Sequence, residues 1–411
     1  PMVTLGRELK RRGHRASVIS TLDAQDEVLR NGLEFIAVGA QEYPLGSLKR
    51  FTDVQGKLTG TRAVRFIIKD MAKTAYMHAR DLPDAVTGNG IDALVVDQIQ
   101  PLGATVALRY DLPFVNLCSL LPLNTDPGVP PWNMAWPYQD SNQAKVKNKI
   151  AARVRHQMER PVARADNRTR VAWGLPTITI NADQSFSELA QIAQIPEFFD
   201  FPRTQAPECF HHTGPLHDFD RADPVPFPWE RLDGRPLIYG TMGTLQNRLK
   251  GVFRTIAEAC AGLDAQLVIS LGQRGAPIPT DFPGNPIVVD YAPQLDILKR
   301  ASLFVGHGGQ NTVLQSLAFG LPMVLMPAAT DQPGVAARAK HIGVGEFIPV
   351  RRVTVRKLRA AIETVQSNPA YRQNAQTYQN TIRRMDAVGR AADIVEQAFR
   401  TREPVLRTTT T

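Results

Sequence analysis

A chain of 411 residues, 43% hydrophobic and 21% charged, is too long for one ordinary core and suits two soluble globular domains of roughly 200 residues each. No apolar run approaches the roughly 20 residues that span a bilayer and no signal-peptide pattern opens the chain, while three widely spaced cysteines, Cys118, Cys209 and Cys260, speak for reduced thiols in a cytoplasmic protein rather than a disulfide framework or a zinc site. The net charge of +9 is scattered, without the aromatic-interleaved basic stripe that single-stranded nucleic acid needs.

The first residues read as a helix, with Val3, Leu5 and Leu9 on one face, Pro1 at its start and Gly13 past its end, and a strand follows at Ala16 to Ser20. A helix feeding a strand is half of an alternating unit, so a preceding strand is expected upstream of Pro1. Leu33 to Val38 is strand-like, Arg62 to Arg80 a long amphipathic helix, Ala93 to Val96 a buried strand, Leu102 to Arg109 a helix and Phe114 to Leu117 another strand. A proline-rich irregular stretch, Leu121 to Tyr138, then gives way to a basic helical segment over 141–172. A solvated helix face accounts for that segment most simply; contact with an anionic membrane is its other reading.

Pro and Gly crowd from Pro196 to Pro236 and predict a linker. A second alternating series follows: strands at Leu237 to Thr241, Gln266 to Leu271, Ile287 to Val289, Leu303 to Val305 and Met323 to Met326, a helix over Phe253 to Gly262, and a helical tail from Val353 to Arg400. The expected fold class is α/β, with two doubly wound domains facing one another across a cleft. Their expected limits are 1–222 and 237–385, joined by a linker over 223–236, with residues 386–411 as a helix and tail packed back on the first domain.

The block most informative about chemistry runs from Leu303 to Leu317, where a buried strand enters Gly306, His307, Gly308 and Gly309 and a helix begins near Gln310. Glycines let the backbone approach a ligand, and the free N–H groups of a helix start favour anions. His307, Asn311 and Thr312 add side-chain donors at the same point, so a diphosphate is the natural occupant. A tight turn with glycines for packing is the plainer account of this block taken alone.

Tyr291-Ala-Pro-Gln294 stands before the block, and Pro327-Ala-Ala-Thr-Asp-Gln-Pro-Gly-Val-Ala-Ala-Arg338 and Gly343-Val-Gly345 follow it. In this order of elements the second half resembles the donor domain of family 1 UDP-glycosyltransferases, which have the GT-B fold of two Rossmann-like domains. The run Asp331 to Arg338, and Leu117 to Pro131 with its Pro-Leu-Asn-Thr-Asp-Pro-Gly-Val-Pro-Pro core, resemble more narrowly the bacterial zeaxanthin glucosyltransferase and macrolide glycosyltransferase branch. The resemblance implies that Tyr291 stacks on the donor base, with the Ala292 backbone and Gln294 at the base edge or ribose. It implies His307, Gly308, Gly309, Asn311 and Thr312 on the diphosphate, Asp331 and Gln332 on the sugar hydroxyls, and Thr241, Gly243 and Thr244 in a loop over the phosphates. An N-cap role is a second account of Asp331, compatible with the first. The family usually holds the ribose with a glutamate where this chain has Gln315; glutamine hydrogen-bonds a diol without the charge.

Inverting transfer to a hydroxyl needs a general base. In the family it is the histidine of a Gly-His-x-x-Pro turn, which the opening Pro1-Met-Val-Thr-Leu continues, so that histidine is expected upstream of Pro1. Asp97, at a strand end, matches the acid that orients it; capping of the following helix is an almost equal reading of Asp97. Leu121, Trp132, Met134 and Trp136 are the candidate acceptor surface, suited to a greasy aglycone such as a carotenoid end group. The expectation is metal-independent inverting transfer of a hexose, glucose first, from a UDP-sugar to a hydroxyl of an apolar small molecule. It needs no cofactor and no nucleic acid and is served by a monomer or weak dimer in the cytoplasm, with the inner membrane face as a candidate contact. A non-catalytic nucleotide-sugar-binding protein, or an inactive truncated transferase, is the alternative; an epimerase or lipid-linked sugar transferase on the same fold ranks lower, because those lack the Asp331-Gln332 pair.

Overall fold

The computed structural model describes residues 1–407 apart from residues 59, 180, 181, 222, 223, 246 and 250. In chain order its first half holds α1 (Met2–Arg11), β1 (Ser17–Ser20), α2 (Gln25–Arg30), β2 (Glu34–Ala37), α3 (Ser47–Gln55), α4 (Gly60–Thr87), β3 (Leu94–Asp97), α5 (Pro101–Arg109), β4 (Phe114–Cys118), α6 (Asn142–Ala172), β5 (Gln191–Ala193) and β6 (Phe210–His212). The second half holds β7 (Leu237–Thr241), α7 (Val252–Cys260), β8 (Gln266–Ser270), β9 (Ile287–Val289), α8 (Gln294–Leu298), β10 (Ala301–Gly306), α9 (Gln310–Ala318), β11 (Met323–Leu325), α10 (Gln332–His341), β12 (Gly345–Phe347), α11 (Val355–Ser367), α12 (Pro369–Arg384) and α13 (Ala387–Thr401).

Every strand pairing is parallel. The first half has a two-stranded sheet, β1-β2, and a four-stranded sheet, β3-β4-β5-β6; the second has six strands in the order β12-β11-β10-β7-β8-β9. Strands covered by helices on both faces read as continuous apolar runs, and β7, Leu-Ile-Tyr-Gly-Thr, is buried at all five positions. From β7 the chain winds outward through β8 and β9, and from β10 it winds the other way through β11 and β12. The carboxyl ends of β7 and β10 therefore form a topological switch point, where open α/β sheets bind ligands.

Two expectations change. The proline-rich stretch from Pro196 to Pro236 is not linker throughout, because β6 lies inside it and pairs with β5 in the register Gln191↔Phe210 to Ala193↔His212; three-residue strands are too short to show a period. The expected boundary between residues 222 and 223 falls outside the described residues. The helical tail is three helices, because Thr354, Asn368 and Asp386 each cap a new start, accepting from Lys357 N, Ala370 N and Gly389 N. Pro369 also lacks the N–H that would continue α11. The last of these helices, α13, buries Ala391, Ala392 and Val395 with Leu5, Val115 and Leu117, and Arg12, just past the end of α1, reaches its Asp393 and Glu396 at 2.6 and 2.7 Å.

The two halves share one apolar cluster, in which Cys118, Leu121, Ile195 and Phe199 meet Leu314, Val335 and Ala336. Gly334 on α10 lies close against the backbone of Trp132. A Cβ there would overlap the carbonyl oxygen of Trp132 and lie 3.0 Å from Leu121. Glycine is thus required by the approach of the first half to the helix that begins with Gln332.

Candidate active site

At the switch point β10 ends in Gly306 and β7 in Thr241, paired in register. His307 follows, and its imidazole lies between two glycines: a Cβ on Gly243 would come within 2.6 Å of the ring, and one on Gly309 would overlap it. Gly243 and Gly308 also hold φ of +65° and +80°, which L side chains rarely adopt. Burial pushes the His307 imidazole down to about 4, so the ring is neutral at ordinary pH, and its buried Nδ1 has no protein partner. The α9 N-terminus starts beside it at Gln310, whose two amide atoms are likewise buried and unpartnered. Buried polar atoms are nearly always hydrogen-bonded, so this cluster at a helix start is a site prepared for a polar, anionic guest.

The loop from Pro327 to Asp331 closes the next side. Gln332 ties it down, its Oε1 accepting from Ala328 N at 2.9 Å and Ala329 N at 3.2 Å. Thr330 stands at φ +56°, a strained conformation for a β-branched residue. Asp331 is the N-cap residue just before α10, yet its side chain caps no backbone N–H of the helix. Its Oδ1 takes the Thr330 hydroxyl at 3.1 Å, its own backbone N–H lies against the carboxyl, and Oδ2 is buried without a partner. Burial raises this carboxyl to about 6, partly offset by the Thr330 hydroxyl. The side-chain capping account of Asp331 is therefore not realised, and one carboxylate oxygen stays available.

Tyr291 follows β9, and the Arg274 guanidinium lies over its ring at 4.1 Å, a cation–π contact. Gln294 Nε2 donates to Gln315 Oε1 at 2.5 Å. The two amides thus orient one another across the start of α8 and the middle of α9. Thr241 is buried, its Oγ1 accepting from Gly243 N at 3.2 Å, while Thr244 is exposed. Thr312 and Ala292 are buried, and Asn311 is exposed toward the first half.

Across the cleft, Asp97 ends β3. Its Oδ1 accepts from Ile99 N at 3.2 Å, which closes a turn rather than capping α5, whose N-cap is Gln100. Burial raises the Asp97 carboxyl, against hydrogen bonds from Ser119 and Ile99. Gln194, just past β5, donates to Ser119 O at 2.6 Å and reaches Asn311 Oδ1 at 3.2 Å. His217 also lies against the Asn311 side chain, and burial lowers its imidazole to about 4. A polar chain from Asp97 through Ser119 and Gln194 to Asn311 and His217 so joins the two halves. Ser119, Gln194, His217, Arg274 and Gln310 received no role from the sequence; Gln310 lies inside the Leu303 to Leu317 block and Ser119 inside the Leu117 to Pro131 run, whereas Gln194, His217 and Arg274 sit in no motif.

Of the apolar acceptor candidates, Leu121 is wholly buried in the shared cluster, and Trp132 packs against it. Met134 and Trp136 are half-buried, and Lys147 of α6 covers the Trp136 ring at 3.8 Å. Among the described residues, no three His, Cys, Asp or Glu side chains gather as a metal cage.

Comparison with known proteins places the chain. Residues 254–396 match the model described as "Erythromycin biosynthesis protein CIII-like, C-terminal domain". Zeaxanthin glucosyltransferase of Pantoea ananas is 33% identical, over 98% of this chain and 93% of that protein. Zeaxanthin glucosyltransferase of Pseudescherichia vulneris is 30% identical, over 98% and 95%. Among solved structures, the glycosyltransferase of kitacinnamycin superposes with a TM-score of 0.75 at 22% identity, covering 97% of this chain and 94% of that one.

Proposed function

This chain belongs to the family 1 glycosyltransferases, of GT-B fold, and on that premise we propose that it transfers a hexose, glucose first, from a UDP-sugar to a hydroxyl of an apolar small molecule such as a hydroxylated carotenoid. The observation that carries this reading is the set of buried, unpartnered polar atoms at the switch point: His307 Nδ1, the Gln310 amide and Asp331 Oδ2. A diphosphate on the α9 N-terminus meets the first two, with Gly308, Gly309, Asn311 and Thr312 around it and Thr241, Gly243 and Thr244 above. The sugar hydroxyls meet Asp331 and Gln332. The base lies on Tyr291 against Ala292, and the Gln294–Gln315 pair takes the ribose.

Inverting transfer is a single displacement. The acceptor oxygen bonds to the anomeric carbon, the bond from that carbon to the β-phosphate oxygen breaks, and UDP leaves with the electron pair. The acceptor proton passes to a base that Asp97 orients. Charge developing on the departing diphosphate faces the helix start and neutral His307, electrostatic stabilisation that needs no metal ion. The acceptor approaches from the first half, beside Leu121, Trp132, Met134 and Trp136, so residues 1–222 serve the acceptor and 237–385 the donor. The same reading sets the enzyme in the cytoplasm as a monomer or weak dimer, its activity unaffected by chelators. The supporting likeness is to the two zeaxanthin glucosyltransferases.

Isothermal titration with UDP and UDP-glucose, followed by UDP-release assays of the full-length chain with a hydroxylated carotenoid, tests the reading. A folded protein that binds neither nucleotide overturns it. Binding without release across a broad acceptor panel reduces it to a nucleotide-sugar-binding protein.

A further inference from the structure

The outward face of α6 carries an unpartnered apolar stripe. Val146, Ile150 and Val154 are 56, 54 and 56% exposed, their four-residue spacing continues to half-buried Met158, and exposed Pro161 follows three residues on, so the five lie along one side of the helix. At its far end the stripe opens into an apolar cavity of about 470 Å³ between α6 and α4, walled by Met158, Pro161, Ile68 and Ala72 and rimmed by Arg65 and Lys69.

Charge on this face has one sign. Lys147, Lys149, Arg153, Arg160, Arg164 and Arg168 are exposed. The helix exposes no acid in return: Glu159 pairs with Arg155 at 3.3 Å, and Asp166 is buried against the Thr105 hydroxyl at 2.6 Å. Trp136 sits against the first turns of the helix, under Lys147. An apolar stripe, flanking cations without acids and an amphipathic indole at one end are the features of a helix lying in a lipid interface.

We propose that this face of α6 docks on an anionic lipid bilayer, with the stripe and the mouth of the α4–α6 cavity toward the acyl chains and the arginines and lysines on the headgroups. The charge complementarity favours lipid over a protein partner, whose surface would have to offer acids and an apolar strip together. The contact requires neither donor nor acceptor and stands apart from the sugar-transfer reading.

Flotation of the full-length protein with vesicles, in the absence of any nucleotide, tests it. Binding is expected to vesicles of phosphatidylcholine mixed with phosphatidylglycerol, to weaken with added salt, and to be slight on phosphatidylcholine alone. Each cation near such a surface is worth about a fivefold change in partitioning, so Arg153→Glu with Arg160→Glu is expected to lower it at least about tenfold. Val154→Asp, at a position more than half exposed and so of little consequence for folding, is expected to release the protein as well. Brominated acyl chains are expected to quench the tryptophan emission of the wild type and to lose that part of the effect in Trp136→Phe. Equal or absent binding to the two vesicle types overturns the proposal. So does an unaffected, folded Val154→Asp variant, or capture of a protein or nucleic acid without capture by lipid.

Discussion

At the scale of single residues, the site is defined by polar groups that burial has left incomplete. His307→Ala removes an imidazole that is a phosphate donor in its Nδ1–H tautomer, and a hydrogen bond to a charged group is worth about 1.5–3 kcal/mol. UDP affinity measured by titration calorimetry is therefore expected to fall by about ten- to a hundredfold. Asp331 gives a pH signature. Its carboxyl stands near 6 in the folded protein and near 3.9 when unfolded. A folded pKa above the unfolded one means stability that is full below about 4 and is lost as pH rises through about 6. Asp331→Asn is thus expected to be more stable than the wild type at pH 8, by on the order of 2 kcal/mol, and no different below about pH 4, as thermal melts at both pH values would read. Activity moves the other way. Donor kcat/KM is expected to climb through about pH 6 as the wild-type carboxylate forms, and the asparagine variant to lose both that inflection and about tenfold of the plateau. A wild-type profile flat across pH 5–7 would remove Asp331 from the sugar site.

At the scale of elements, the site depends on how α10 meets the first half of the chain. The helix begins with Gln332 and passes beneath the backbone of Trp132 at Gly334. Gly334→Ala forces its Cβ onto the Trp132 carbonyl, so α10 must back away, taking Asp331 and Gln332 with it. The expected outcome is a loss of about 1–3 kcal/mol, the usual cost of overpacking, together with a raised KM for the donor. A variant with wild-type melting and kinetics would show that this close approach is not needed. The glycine of Asp-Gln-Pro-Gly was plain in the motif; the reason for it lay two hundred residues earlier in the chain, where no local pattern points.

At the scale of the whole molecule, one buried ion cluster crosses between the halves. Arg338 on α10 donates to Asp200 Oδ1 from Nε at 2.9 Å and from Nη2 at 2.7 Å, while Oδ2 takes Arg203 Nε at 2.6 Å. Burial opposes the charge on Asp200, but the Arg203 and Arg338 guanidiniums outweigh it and hold the carboxyl well below its ordinary range. Removing one partner of a buried pair leaves the other uncompensated, at a cost of about 3–5 kcal/mol. Arg338→Met is expected to lose about that much in a denaturant melt, and Asp200→Asn combined with it to add less than its separate effect, since the two share one interaction. Strict additivity would mean that the pair does not couple the halves.

Alternation of apolar runs with amphipathic segments was enough to establish an α/β protein of two units, because a parallel strand covered on both faces must be apolar whatever packs upon it. The block from Tyr291 to Gln332 was legible for a related reason: backbone approach to a ligand demands glycines at particular places, and those are local in the chain. Three-residue strands such as β6, and the partition of the tail into α11, α12 and α13, were not read, since the first shows no period and the second turns on single capping residues. Tertiary structure alone decided that Asp331 keeps a buried carboxylate oxygen without a partner, that Gln315 is oriented by Gln294, and that Gln194 spans from Ser119 to Asn311. The last depends on what stands opposite across the cleft, the others on burial and on neighbours in the fold, which act through space rather than along the chain.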